Sequence, residues 1–336
     1  MRRSIPLILS ALVALLGAPT AASAAADGPP PFDRSARSPA RTIPILFGIG
    51  DQHATMFADT RWQALDFTIT RLNVPWNATS DPALIGWAED YVRAARDAGV
   101  ETLVHVTGRA KSGVAEPLPS VAAYRRSVGQ LVARLRPLGV HVWGAWNEAN
   151  HLTQPTALHP ERAARFAREL RRLCADCTIV AADVLVQGGP GSRTPTSYRP
   201  WLRAFLTAYG ARSDARLLIG MHNYGELIVS SKPTRARDLI RFVRRTVPSA
   251  RFWITESGGI AASRDRPCDE RRQVVGQRRM FAQAARLAPA GVERLYAYSW
   301  SAATCASGYD SGLIRPDGTS RPALAIVERW APRFAR

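Results

Sequence analysis

Lysine is nearly missing. Lys111 and Lys232 are the only two among 45 basic residues, and the remainder are arginine. Acidic residues number 27, leaving a net charge of +18. Those arginines lie scattered along helical stretches. They form no tail or block of the kind that grips nucleic acid, so no nucleic-acid partner is expected. The histidines, six in all, show no HxxxH or HxH pairing, so neither a metal nor any other cofactor is expected. No GxGxxG follows the first strand and no P-loop occurs, which argues against dinucleotide and triphosphate binding. Long apolar runs are absent too. The longest, residues 5–16, falls short of the roughly 20 residues a membrane span requires.

That short run has a different meaning. Arg2 and Arg3 precede it, and Ala22-Ser23-Ala24 follows as a small-residue cleavage site. Residues 1–24 therefore read as an export signal. The expected location is extracellular, with cell-wall association compatible with it. Residues 25–42 are rich in Pro, Ser, Ala and Arg and read as a disordered linker.

Cysteine is scarce, at four. An even number in an exported chain favours disulfides. Cys174 with Cys177 and Cys268 with Cys305 are the expected pairs. A zinc site built from all four is the alternative.

From residue 43 the pattern becomes regular. Apolar runs at 45–50, 67–74, 101–106, 140–146, 178–184, 217–222, 252–255 and 295–300 read as strands. Helical periodicity occupies 82–98, 121–138, 160–173, 198–209, 234–246, 270–287 and 322–330. The 51–66 connection shows it least. Eight strands alternating with helices predict an α/β fold, a single (β/α)8 TIM barrel over residues 43–336. Its ligand site is expected where the strands end.

Those ends are polar. Strand four runs into Asn147-Glu148 and strand seven into Glu256. Two carboxylates at one mouth suit glycosidic bond cleavage. One gives a proton to the leaving oxygen, and the other attacks the anomeric carbon or activates water. Arg71 can hold Glu256 ionised, Tyr224 can donate to it, and His222 can tune Glu148. Asn147 can bond a sugar hydroxyl. Trp76 and Trp300 offer ring faces, and His105 lies at a third strand end. Trp146 and the 51–53 stretch are lesser candidates. Asp183, Glu226 and Asp310 are rival carboxylates.

These motifs together resemble the clan-A retaining glycoside hydrolases, with families 5 and 39 the most similar. The resemblance spans about residues 43–330. It rests on Asn147-Glu148, Phe252-Trp-Ile-Thr-Glu256, Arg71, His222-Asn-Tyr224, Trp300 and the closing stretch Gly312 to Ala323. Ala149 departs from it, since many members carry Pro there. The resemblance implies Glu148 as acid/base and Glu256 as nucleophile, acting on an oligo- or polysaccharide. The arginine surplus admits an acidic polymer. A monomer is expected. A non-catalytic carbohydrate-binding barrel is the alternative function.

Overall fold

The computed structural model describes residues 42–108, 117–305 and 308–336. The expected leader, all but the last residue of the linker and most of the 109–120 loop lie outside them. Eight parallel strands follow in chain order: β1 (Ile43–Gly50), β2 (Ile69–Pro75), β3 (Glu101–Thr107), β4 (Val142–Gly144), β5 (Thr178–Leu185), β6 (Leu218–His222), β7 (Arg251–Ser257) and β8 (Val292–Tyr298). A two-residue β9 (Phe334–Ala335) completes a nine-stranded sheet in the order β2-β3-β4-β5-β6-β7-β8-β1-β9. Nine paired strands replace the expected eight because the chain's last residues pair with the start of β1.

The sheet is curled, so β1 and β2 approach each other at its two sides. A Cβ on Gly48 would lie 1.9 Å from the carbonyl oxygen of Ile69, an approach open only to glycine. The Thr70 hydroxyl donates to Ile49 O at 2.7 Å, and the Asp51 N–H to Arg71 O at 3.3 Å.

Helices cover the outside: α1 (Thr60–Gln63), α2 (Pro82–Asp97), α3 (Val121–Leu135), α4 (Pro160–Leu173), α5 (Tyr198–Tyr209), α6 (Tyr224–Leu227), α7 (Thr234–Arg244), α8 (Glu270–Leu287) and α9 (Pro322–Trp330). Local chemistry sets their ends. Asp81 accepts from the Ala83 and Leu84 N–H groups to open α2, with Pro82 at the first helical position. Asp269 does the same for α8. Gly210 closes α5 at φ 73°. The α2 side chains Leu84, Ile85, Ala88, Tyr91, Val92 and Ala95 form one buried stripe facing the sheet.

The inside of the curl has two zones. Its floor is apolar: Leu46, Ile69, Leu103, Val142, Val180, Leu218, Trp253 and Tyr296 pack together, one from each of β1 to β8. Ion pairs close it below, Arg294 with Glu101 and Arg251 with Glu293. Above the floor the interior turns polar, with Arg71, His105 and Asp183 all buried. Glycines make the room. A Cβ on Gly144 would lie 1.6 Å from the His105 ring, and one on Gly220 2.2 Å from an Asp183 oxygen.

Candidate active site

β4 and β7 place the two carboxylates. Regular pairing of β4 stops at Gly144, and the chain then bends and turns while staying bonded to its neighbours. Ala145 N–H donates to Val180 O, Asn147 N–H to Val106 O and Ala149 N–H to Asp183 O. This explains why the expected strand 140–146 is longer than the observed one. Glu148 itself has φ 45°, in the left-handed region. That conformation costs a non-glycine residue roughly 1–2 kcal/mol. Glu256 sits one residue before the end of β7. Both carboxylates are buried.

Arg71, from β2, ties the site together. Its Nη1 donates to Glu256 Oε2 at 2.5 Å and its Nη2 to Asn147 Oδ1 at 2.5 Å. Its Nε donates to His105 Nδ1 at 2.9 Å. The Tyr224 hydroxyl donates to the other Glu256 oxygen at 3.0 Å. Both oxygens of Glu256 thus accept from fixed donors. Asn147, its carbonyl taken by Arg71, has its amide N–H groups to offer. His105 accepts at Nδ1, so it is neutral. Burial drives its pKa down to about 3, with the Arg71 charge acting in the same direction and Asp183 against it.

His222, from β6, lies between two carboxylates. Its Nδ1 is 3.0 Å from Glu148 Oε1, and its Nε2 is 2.9 Å from Asp183 Oδ2. Burial alone would lower its pKa, but the charges of Asp183 and Glu256 and bonds to Asp183 and Glu148 raise it to about 10. These carboxylates favour the cationic form of His222. Burial would raise Glu148, yet the His222 hydrogen bond and the His151 and His222 charges hold it below the usual carboxylate range. A Glu148 oxygen, a His222 ring nitrogen and a Glu256 oxygen all lie within 4.8 Å of one another. These three could ligate a cation, but the Arg71 guanidinium already supplies positive charge to Glu256.

The other expected residues are placed as follows. Trp300 lies beyond the end of β8, 2% exposed within the core, and donates its indole N–H to Asp59 at 3.2 Å. Tyr298, partly exposed at the end of β8, feels the Glu256 and Asp51 charges. Trp76 is partly exposed and packs against the core. Trp146 is buried, stacked on Phe166 and bonded to Gln154. Asp51 binds the Gln52 and Ser301 N–H groups and His53.

The rival carboxylates separate. Glu226 accepts from the Arg235 and Ala236 N–H groups, capping the start of α7. Asp310 pairs with Arg321 at 2.5 Å behind the loop after β8. Asp183 is fully buried at the centre of the site. Sequence reasoning also passed over Tyr309, His151 and Tyr298. Tyr309 contacts the Tyr224 ring edge-on at 6.4 Å and feels the Glu256 charge. His151 Nδ1 is 3.8 Å from Glu148 Oε2. The spacing Glu148-x-x-His151 was the available signal for the latter.

Cys174 pairs with Cys177, and Cys268 with Cys305, at Cα separations of 5.3 and 5.4 Å. The second pair ties the loop after β7 to the loop after β8. Among the described residues no helix is long and apolar enough to cross a membrane.

No family model matches the chain, and no curated protein matches its sequence. Its fold, by contrast, is shared with solved glycosidases. One is a β-glucosidase, 17% identical with a TM-score of 0.59, the match covering 83% of this chain and 87% of that one. An endo-β-1,4-glucanase from Xanthomonas axonopodis pv. citri is 15% identical at TM-score 0.58, covering 86% and 99%. A β-mannanase from Thermomonospora fusca is 15% identical at TM-score 0.58, covering 86% and 90%. The chain thus has the fold of the TIM-barrel glycosidases.

Proposed function

We propose that the protein is an exported retaining glycoside hydrolase, a monomer built on one closed (β/α)8 barrel over residues 43–336. The one-residue-per-strand floor supports the eightfold closure, with β9 as an appendage. The signal-like residues 1–24 and the two disulfides support export.

The carboxylate spacing carries the reading. One oxygen of Glu148 and one of Glu256 lie within 4.8 Å of each other, which supports the closer of the two known spacings. Retaining enzymes hold their carboxyl groups about 5–5.5 Å apart, whereas inverting enzymes leave roughly 6.5–9.5 Å for a water. Glu256, held by Arg71 and Tyr224, attacks the anomeric carbon. Glu148 protonates the departing oxygen. In the second half Glu148 deprotonates water, which displaces Glu256 and restores the anomeric configuration. Asn147 bonds a sugar hydroxyl beside the reacting carbon. Trp76, partly exposed, offers a ring face to the sugar. The substrate is a β-linked glycan, as the names of the similar structures suggest, and the arginine-rich surface favours an acidic one.

Turnover of a panel of polysaccharides and aryl glycosides by the mature protein tests this, run beside Glu256→Ala. The variant is expected to lose turnover by a factor on the order of 10⁴. The released sugar is expected to keep its anomeric configuration by NMR. Turnover that survives in the variant, or that inverts, overturns the mechanism.

A further inference from the structure

His222 faces a carboxylate at each ring nitrogen, Asp183 at 2.9 Å and Glu148 at 3.0 Å. A neutral imidazole carries one proton. It would point a bare nitrogen lone pair at one of two carboxylate oxygens. With both carboxylates ionised only the doubly protonated ring bonds both, whereas a protonated Glu148 would donate to a neutral Nδ1. Asp183 is built to keep it so. It is fully buried, accepts from the Thr255 hydroxyl and stands 3.7 Å from Arg71 Nη2. Gly220 leaves the space its carboxylate fills.

We propose that Asp183 is a positioning residue that keeps His222 doubly protonated, and that His222 lends its Nδ1 proton to Glu148 for the leaving group. The proposal rests on the glycosidase reading above. Bookkeeping of protons closes. As the glycosidic bond breaks, His222 Nδ1 gives its proton to ionised Glu148, which passes a proton to the departing oxygen and is left ionised. His222 becomes neutral and keeps Nε2–H on Asp183. In the second half Glu148 takes a proton from water and returns one to His222 Nδ1. One water is consumed and the site regains its starting charge.

Other groups also face His222. Arg71 Nη2 from β2 lies 3.5 Å from Nε2, and Glu256 Oε2 from β7 lies 3.9 Å from Nδ1. Neutral His105 stands on β3, the Tyr224 ring centroid is 6.5 Å away, and His151 adjoins Glu148. Arg71 opposes a second positive charge, so Asp183 and the two glutamates must outweigh it.

The test is nitrogen-15 NMR of histidine-labelled protein, with the His222 signals assigned by His222→Gln. Wild type is expected to show both ring nitrogens protonated at pH 7. In Asp183→Asn the His222 titration is expected to fall by about one pH unit or more. The alkaline limb of kcat/KM should fall with it, and Asp183→Glu should restore both. A singly protonated His222 in wild type at pH 7, or an unmoved titration in Asp183→Asn, overturns the proposal. A merely structural aspartate would lower kcat/KM at every pH without moving the limb. If Asp183→Asn does not fold, the wild-type spectrum still decides. Glycoside turnover that survives Glu256→Ala would sink the glycosidase reading instead, and the NMR titration would be untouched by it.

Discussion

The floor and the upper interior of the curl are made by the same eight strands, a few residues apart, yet they obey opposite rules. The floor uses one apolar side chain per strand and buries no charge. The upper interior buries Arg71, Asp183, Glu148, His222 and Glu256 together. Desolvating such groups costs several kcal/mol each before pairing offsets it. The floor's apolar burial, roughly 1.5–3 kcal/mol for each large side chain, is what allows that arrangement to persist. The lesson is a division of labour between layers: the lower layer of the interior holds the fold, and the layer above it gathers the candidate site.

That division can be broken on purpose. Trp253→Ala removes the largest floor side chain, buried beneath the Arg294 guanidinium at 4.2 Å. It is expected to cost about 3–5 kcal/mol in denaturant unfolding while kcat of the folded fraction holds. A parallel fall in kcat would abolish the distinction. Next comes the rim. Replacing Cys268 and Cys305 by Ser opens a loop of 37 residues, and about 3–4 kcal/mol should be lost. Replacing Cys174 and Cys177, three residues apart, should cost roughly half as much. Thermal melts of the two double variants measure the contrast. A stability effect of similar size to the short disulfide's, about 1–3 kcal/mol, is expected from Gly220→Ala, which crowds Asp183 and Thr255. Its kcat should nonetheless fall by a factor on the order of 10², because a small displacement of the polar zone misaligns the carboxylates. Steady-state kinetics beside a melt would show the inversion.

Legibility in the sequence followed the same line. Helices α4, α5, α8 and α9 have the expected bounds to the residue, because Pro160, Gly210 and Asp269 punctuate them. β8 was placed too late. Glu293 and Arg294 look like loop residues, but they lie within the strand and pair at its lower rim with Arg251 and Glu101. That shift gave Trp300 the position at the strand end that Tyr298 occupies. Asp183 was visible only as a rival carboxylate. Its strand, TIVAADVL, is buried on both faces after Thr178, so no alternation shows which side chains point inward. Glu148, Glu256, His222 and Tyr224 were legible because each lies at or just past the end of an apolar run, and Arg71 because it is a charge inside one. The glycines that make room for them carried no comparable mark.

The left-handed backbone at Glu148 bears on how such a sequence drifts over time. Glycine or asparagine would sit there at less cost than glutamate. A descendant relieved of its chemistry would gain stability by making that exchange, and mutation alone would offer it often. On the proposed mechanism, a glutamate kept on this unfavourable backbone would mark continuing selection for the carboxylate itself. It would set a working chain apart from one that has become a passive sugar-holding relic.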